Sequence, residues 1–337
     1  MASFYFLASF LIVFFVLASA GLLAYKTGFT FSQMSVDEDN PAAVLPLGEK
    51  AFTPTPDNDR LNILLLGLRG EDDPNGGALT DSIMIFSFKK STGQTALISI
   101  PRDLYVEIPG MNGKKEKINF AYAHGYDKNG VAGGLYLSKI AVSRVSGLFI
   151  NQAIVVNHEA FREIVDILGG IDVYLEAPFQ EKSQFAKEIL IDLPAGKNHL
   201  DGATALYFVR SRFSTSDFDR ARRQQKVLLA IKDKALSLGF LTNPGKIFQV
   251  LESLGRNVKT DISFSDISSF ITIAQKIDTN KVIHKVFDTT PDGLLYATHS
   301  ENGAYILLPV KGDFSQIQQA CQRIFDLAKE TPSITKQ

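Results

Sequence analysis

Three continuous apolar runs, Leu61–Leu66, Ser82–Phe88 and Gln94–Ile100, do most to limit how this chain can fold. Each has the character of a buried strand. Lys90-Ser-Thr-Gly93 turns the second run back into the third, which is a hairpin signal. The three strands deliver Arg69, Asp81, Arg102 and Asp103 to strand ends, where α/β folds place ligand sites. The Gly67–Gly77 loop between the first two runs matches neither GxxxxGK[ST] nor GxGxxG, so a nucleotide-binding reading is set aside.

Downstream, Lys117–His124 reads as a loop entering a helix, with His124 a hydrogen-bonded structural residue. A helix is expected at about 134–147, then strand Ala153–Asn157, helix Glu159–Leu168, a Gly169-Gly170 turn and strand Ile171–Leu175. Beyond Gly239 the pattern predicts helices Lys246–Leu254 and Asp266–Ile277 and strand Val282–Phe287. An irregular segment, strand Tyr305–Leu308 and amphipathic helix Phe314–Leu327 follow. Alternating strands and helices with one hairpin predict an α/β fold with a mixed sheet, completed by the C-terminal part.

The N-terminus points to a membrane. Met1–Tyr25 carries no charge, and Phe4–Ala24 is apolar over a length that crosses a bilayer as a helix. Ala18-Ser19-Ala20 resembles a signal-peptide cleavage site, but the apolar run is long and no basic segment precedes it. The expectation is a single-pass anchor at the cell membrane, N-terminus cytoplasmic, with the bulk of the chain extracytoplasmic. Residues 26–59 have no sustained period and read as an extracytoplasmic linker, leaving 60–337 as the globular domain.

Chemistry concentrates between Ala203 and Gln225. Arg210 and Arg212 close the apolar run Ala205–Val209 and, in extended backbone, leave on one face. A helix is expected to open at Ser216 or Asp217 and to place Arg220, Arg223, Gln224 and Val227 at i, i+3, i+4 and i+7, with Arg222 roughly opposite. Convergent guanidiniums near a helix N-terminus suit a phosphate or pyrophosphate. The bland reading is a solvated face with ion pairs to Asp217 and Asp219. A formal net charge of -1 argues against a general nucleic-acid binder. One cysteine, Cys321, excludes an intrachain disulfide and reads as a buried structural thiol.

Seven pieces in order resemble the LytR–CpsA–Psr family of membrane-anchored glycopolymer transferases: NILLLG at 62–67, LTDSIM at 79–84, SIPRDLYV at 99–106, KINFAYAHG at 117–125, LGGIDV at 168–173, GATALYFVRSR at 202–212 and DFDRARRQQ at 217–225. They cover roughly 60–235. The resemblance implies a three-layer αβα sandwich outside the cytoplasmic membrane, preceded by one transmembrane helix. It implies transfer of a glycan phosphate from a polyprenyl-pyrophosphate carrier to a peptidoglycan hydroxyl. It assigns Asp81 to a Mg²⁺ (or Mn²⁺) ion and Arg102, Arg210, Arg212, Arg220 and Arg223, with Gln224 beside them, to the pyrophosphate; with Arg69 beside Asp81, the ion is expected to bind only together with the substrate. Asp103 is implied as a base or as the positioner of an arginine.

Two departures from the family pattern matter for the metal, and Glu71, Asp72 and Asp73 of the Gly67–Gly77 loop are alternative ligands for it. Arg69 stands where GxDxR has its aspartate, and Leu79 where R[ST]D has its arginine. Two other activities therefore stay open: a catalytically silent binder of polyprenyl-phosphate lipids or wall polymers, and a pyrophosphatase in which water replaces the sugar hydroxyl. The apolar wall for a prenyl chain is expected from helices around Leu135–Val145 and Ala160–Leu168.

Overall fold

The computed structural model describes residues 44–46, 49, 53–69, 77–181, 191–212, 214–237, 255, 257–263 and 266–326. The expected membrane helix, much of the linker and the expected helix at 246–254 lie outside them. No described helix is long and apolar enough to cross a membrane.

The three apolar runs are β1 (Arg60–Leu68), β2 (Thr80–Lys89) and β3 (Thr95–Ser99), paired antiparallel in sequence order. A small hairpin follows, β4 (Tyr105–Glu107) with β5 (Lys115–Lys117), and leads into helix α1 (Phe120–Ser146). The helix begins earlier than the expected 134–147 and is broken at Asn129–Gly130 by non-helical backbone. It ends at Gly147, whose φ of 66° supplies the left-handed cap and whose N–H donates to Ser143 O. Next come β6 (Gln152–Val156) and α2 (His158–Ile167), whose first turn is held by Asn157 Oδ1 accepting from Ala160 N–H at 2.8 Å.

β7 (Ile171–Leu175) pairs with β10 (Gly196–Leu200), and β8 (Phe179–Glu181) with β9 (Ile191–Leu193). Helices α3 (Gly202–Arg210) and α4 (Asp217–Ser237) follow. The C-terminal part contributes β11 (Val258–Thr260), α5 (Ile267–Lys276), β12 (Ile283–Val286), the hairpin β13 (Leu295–His299) and β14 (Tyr305–Pro309), and α6 (Ser315–Gln322).

The central sheet has six strands in the order β11-β6-β1-β2-β3-β12. β1 with β6 and β3 with β12 are parallel, and the other pairs are antiparallel, so the sheet is mixed. Both edge strands come from the C-terminal part, which is therefore built into the same sheet. Side chains alternate across the pleat. Ile83 and Ile85 of β2 face one side with Leu64, Leu66 and Ile98, against Leu135 and Val142 of α1 and Ile317 of α6. Met84 and Phe86 face the other side with Leu65 and Leu97, against Leu228 and Leu229 of α4. Each fully buried Leu or Ile contributes about 1.5–3 kcal/mol. A second core joins α2, α3, α4 and the β7–β10 strands through Val165, Ile171, Phe208 and Val227.

One buried charge ties the C-terminal helix to the sheet. Arg60, 6% exposed, donates from Nε to Ser87 Oγ at 2.7 Å and from Nη2 to Cys321 O at 3.0 Å, and its guanidinium lies 4.9 Å from the centre of the Phe325 ring. Burial lowers its pKa to about 10, which still leaves it charged at neutral pH. The carbonyls at the end of α6 thus gain a charged donor where the helix leaves them unpaired. Cys321 is buried, and burial pushes its thiol up to about 12, so it acts as a small apolar side chain. Arg60→Ala is expected to lower unfolding stability by about 3 kcal/mol, measured as a drop in denaturant midpoint at constant slope.

Candidate functional site

The parallel strands β1, β6, β3 and β12 end on one side of the sheet, and β2 begins there. Gly67 at the end of β1 lets the chain pass close to β2: a Cβ added to it would meet Ser82 Cβ at 3.1 Å. The register shifts between Gly67 and Leu68, opposite the start of β2. Asp81 and Ser82 sit at this corner, Arg102 and Asp103 follow β3, and the start of α4 closes over them.

The Ala205–Val209 run is helical, not extended as expected. Asp201 Oδ1 caps the helix by accepting from Thr204 N–H at 2.8 Å, and Ala205, Phe208 and Val209 bury one face at helical spacing. Arg210 therefore ends α3, and Arg212 lies two residues past it, so the two do not leave from one strand face. Helix α4 begins at Asp217 with Ser216 as its cap. Ser216 Oγ accepts from Asp219 N–H at 3.1 Å, and Asp219 Oδ2 accepts from Ser216 N–H at 3.2 Å, a capping box one carboxylate long.

Two cavities meet at this corner. One, of about 290 Å³, is bordered by Leu65 of β1, Phe161 and Ile164 of α2, Leu206 of α3, and Leu228 and Ile231 of α4. The other, of about 500 Å³, holds Asp103, Lys117, Ser216, Asp217 and Tyr305. Six residues line both: Asp81, Ser82, Arg102, Arg212, Arg220 and Gln224. They form a polar wall between an apolar chamber and a more polar one, which Ile100, Phe218, Val286 and Leu307 also line.

Within that wall Arg102 is the hub. It is bonded to Asp81 Oδ1, and its Nε lies 3.4 Å from Asp217 Oδ2 and 3.6 Å from Asp103 Oδ2. Burial would lower its pKa, but the three carboxylates outweigh that and raise it. Its Nε–H is buried and makes no hydrogen bond. Arg220, 8% exposed, reaches Asp217 Oδ2 at 3.3 Å and Asp81 O at 3.4 Å. Burial lowers its pKa, helped by the positive charges of Arg102 and Arg212 and opposed by Asp217 and Asp81. Gln224 accepts from Ser82 Oγ at 3.0 Å and donates to Val209 O at 3.3 Å. Asp103 is held by Lys117 Nζ at 2.6 Å.

Arg69 donates from Nε to Asp81 Oδ2 at 3.0 Å and lines the apolar chamber, as does Arg210. For Asp81, burial pushes upward, but Arg102 and Arg69 outweigh it and leave its pKa lowered. Both oxygens of Asp81 thus accept from guanidiniums. A divalent cation about 4 Å from one guanidinium would be opposed by about 8 kcal/mol at an effective dielectric of about 20. Among the described residues, no group of three or more carboxylates, histidines or cysteines is placed to hold a metal ion. In the free protein neither oxygen of Asp81 is left for an ion, in line with an ion expected to arrive with the substrate; the loop carboxylates Glu71, Asp72 and Asp73 lie outside the described residues.

Arg223 shares the buried face of α4 with Arg220 but turns away from both cavities. It donates to Phe208 O at 2.9 Å and Thr215 Oγ1 at 3.0 Å, is bonded to Ser211 O, and stacks 4.7 Å from the Phe179 ring centre. Burial lowers its pKa to about 10. It fastens the end of α3 to α4. Arg223→Ala is expected to destabilise the fold by about 1.5–3 kcal/mol, visible as a lower melting temperature without ligand. Arg222 is exposed and pairs with Asp219 at 2.8 Å and Asp288 at 3.0 Å, so the bland ion-pair reading holds for this arginine.

Three lining residues carried little sequence signal. In the sequence Asp217 reads as a cap or ion partner and Lys117 as part of a loop, and Tyr305 arrives from a hairpin whose first strand falls in an expected irregular segment. The apolar chamber also differs from expectation. α2 supplies Phe161 and Ile164, but Leu135 and Val142 of α1 pack on the opposite face of the sheet.

Several known proteins resemble this chain in sequence or in fold. The teichoic acid transferase TagU of Bacillus cereus, named for transfer of polyisoprenyl-linked teichoic acid to peptidoglycan, is 35% identical over 209 residues, 61% of this chain and 62% of that protein. TagU of Bacillus anthracis is 37% identical over 222 residues, 64% of each chain. The matches thus span less than two thirds of these relatives' length. The crystal structure of Bacillus subtilis TagV superposes with a TM-score of 0.60 at 25% identity, covering 80% of this chain and 98% of that one. The model of the LytR_cpsA_psr family matches residues 25–323, and the chain is a member of that family.

Proposed function

We propose that the chain is a phosphotransferase that moves a glycan phosphate from a polyprenyl-pyrophosphate carrier to a hydroxyl of peptidoglycan. The observation that carries this reading is the polar wall between an apolar chamber and a more polar one. An amphiphile with a prenyl tail, a pyrophosphate and a sugar has the same three parts in the same order. Arg102, Arg212 and Arg220 face the phosphates, and Gln224 adds an amide. The Arg102 guanidinium borders both cavities, where its planar fork suits phosphate oxygens. Arg210 joins from the apolar side. Arg223 acts on this set indirectly, by holding α3 to α4.

In the reaction the acceptor oxygen attacks the phosphorus that carries the glycan, and the bond from that phosphorus to the bridging oxygen breaks. Polyprenyl phosphate leaves, and the acceptor proton passes to a carboxylate. Asp103 and Asp217 both face the polar chamber, and Asp103 is steadied by Lys117. Charge neutralisation and positioning by the arginines are the main catalytic contributions to such a transfer. A divalent cation, where the substrate's phosphate oxygens bring one, would add Lewis-acid charge stabilisation at those oxygens. The uncharged Met1–Tyr25 run supports a single-pass anchor that holds the site close to the outer membrane face.

The test is reconstitution. The purified chain, a polyprenyl-pyrophosphate-linked saccharide and peptidoglycan fragments should yield glycan-bearing fragments and polyprenyl phosphate in equal amounts. Release of free glycan phosphate without transfer would identify a pyrophosphatase. Binding with no turnover would identify a silent lipid binder.

A further inference from the structure

We propose that Tyr305 is the platform on which this chain seats the sugar ring joined to the donor's pyrophosphate. The proposal deepens the transferase reading above and rests on it. Tyr305 opens β14 and lines the more polar chamber, yet it remains 45% exposed. Its place is fixed by the hairpin. Leu307, two residues on and on the same face of the strand, also lines that chamber, and its N–H donates to Asp103 O at 2.9 Å. Ile306 and Leu307 are buried. His299, directly opposite in register, meets the Tyr305 ring edge-on, with centroids 6.3 Å apart and planes at 82°. Burial and the nearby Asp103 and Asp217 raise the pKa of the phenol, so it stays a hydrogen-bond donor at neutral pH.

The order of parts in the donor then places its sugar. With the tail in the apolar chamber and the phosphates on the wall, the ring bonded to the phosphate enters the more polar chamber. Asp103 and Asp217, the carboxylates nearest the phenol in charge, also flank Arg102 of the wall, at 3.6 and 3.4 Å from its Nε. A pyranose has a face of C–H bonds and an edge of hydroxyls. The negative face of an aromatic ring suits the first, and a phenol and carboxylates suit the second. An exposed tyrosine alone is ordinary. Tyr296 of the same hairpin shows the difference: it is also 45% exposed, but it pairs with Leu308 on the other face and lines neither chamber.

The experiment is calorimetric titration of the full chain with two ligands, farnesyl pyrophosphate and the same compound carrying one N-acetylglucosamine on its terminal phosphate. Wild type is expected to bind the sugar-bearing ligand roughly tenfold more tightly. Tyr305→Ala should lose that gain and leave the bare ligand unaffected, as should Tyr305→Leu, which keeps apolar bulk in the hairpin. Tyr305→Phe, which loses only the hydroxyl, should fall between Tyr305→Ala and wild type. Tyr296→Ala should match wild type with both ligands, and melting curves check that each variant is folded. Equal binding of the two ligands by wild type would overturn the proposal, as would a Tyr305→Ala loss that is the same for both. A Tyr305→Ala variant that keeps donor affinity and raises only the KM for peptidoglycan fragments would assign the tyrosine to the acceptor and overturn it too. Wild type that binds neither ligand would overturn the pyrophosphate reading itself.

Discussion

Arg212→Lys is expected to weaken binding of a polyprenyl pyrophosphate by roughly ten- to hundredfold while leaving the melting temperature unchanged. The two halves of this outcome have separate causes. Arg212 lines both chambers, so a ligand lying across the wall passes beside it. Unlike Arg220 and Arg102, it pairs with no described carboxylate, and its charge helps to lower the pKa of Arg220. An anion relieves that repulsion. Lysine keeps the charge but loses the planar fork that binds two phosphate oxygens at once. Losing one charge-assisted hydrogen bond costs about 1.5–3 kcal/mol. Folding gains little from an arginine with no carboxylate partner among the described residues, so stability should not move. Arg222→Ala is the control: that residue is exposed, lines neither chamber, and should leave affinity within about twofold, as expected of a surface ion pair. Equal affinity of wild type and Arg212→Lys would return this segment to the solvated-face reading.

Much of the fold could be read from the chain because its core strands are extreme. β1, β2 and β3 are continuous apolar runs joined by one tight turn, and nothing in them competes with the strand reading. β7 coincides with the expected Ile171–Leu175 because strict alternation places Ile171, Val173 and Leu175 inward. Ala205–Val209 is the instructive failure. Five apolar residues satisfy a strand or a helix equally well, and periodicity cannot decide. The deciding feature was Asp201 before Gly202, an N-cap that also resembles a turn.

The site was legible in its charges and not in their directions. Arg220 and Arg223 do share a buried face, as their spacing requires. Which of them faces a ligand depends on Phe179 and on the carbonyls at the end of α3, which only tertiary packing brings to Arg223. The role of Asp81 is a similar case. Its position at a strand start was visible, but its two guanidinium partners come from strand ends 12 residues before it and 21 after it. No local pattern shows that both oxygens are taken.

Filling the apolar chamber should separate the lipid from the phosphates. Ile164→Trp places a larger ring from α2 into a cavity of about 290 Å³, opposite Leu206 of α3 and Ile231 of α4. A prenyl chain held there gains by burial alone, at about 0.8 kcal/mol per CH₂. Displacing even two or three methylene equivalents costs about 2 kcal/mol, or roughly thirtyfold in affinity. The loss should grow with chain length: full for a long polyprenyl pyrophosphate, small for a one-isoprene analogue, and absent for inorganic pyrophosphate. That gradient distinguishes a blocked chamber from a damaged wall, because a disturbed Arg102 or Arg220 would weaken all three ligands alike. Unchanged affinity for the long-chain ligand would mean that the tail lies elsewhere, and the apolar chamber would lose its assigned occupant. Stability gives an independent check. A half-buried position at a cavity edge tolerates a larger side chain better than a filled core does, so the variant should melt close to wild type.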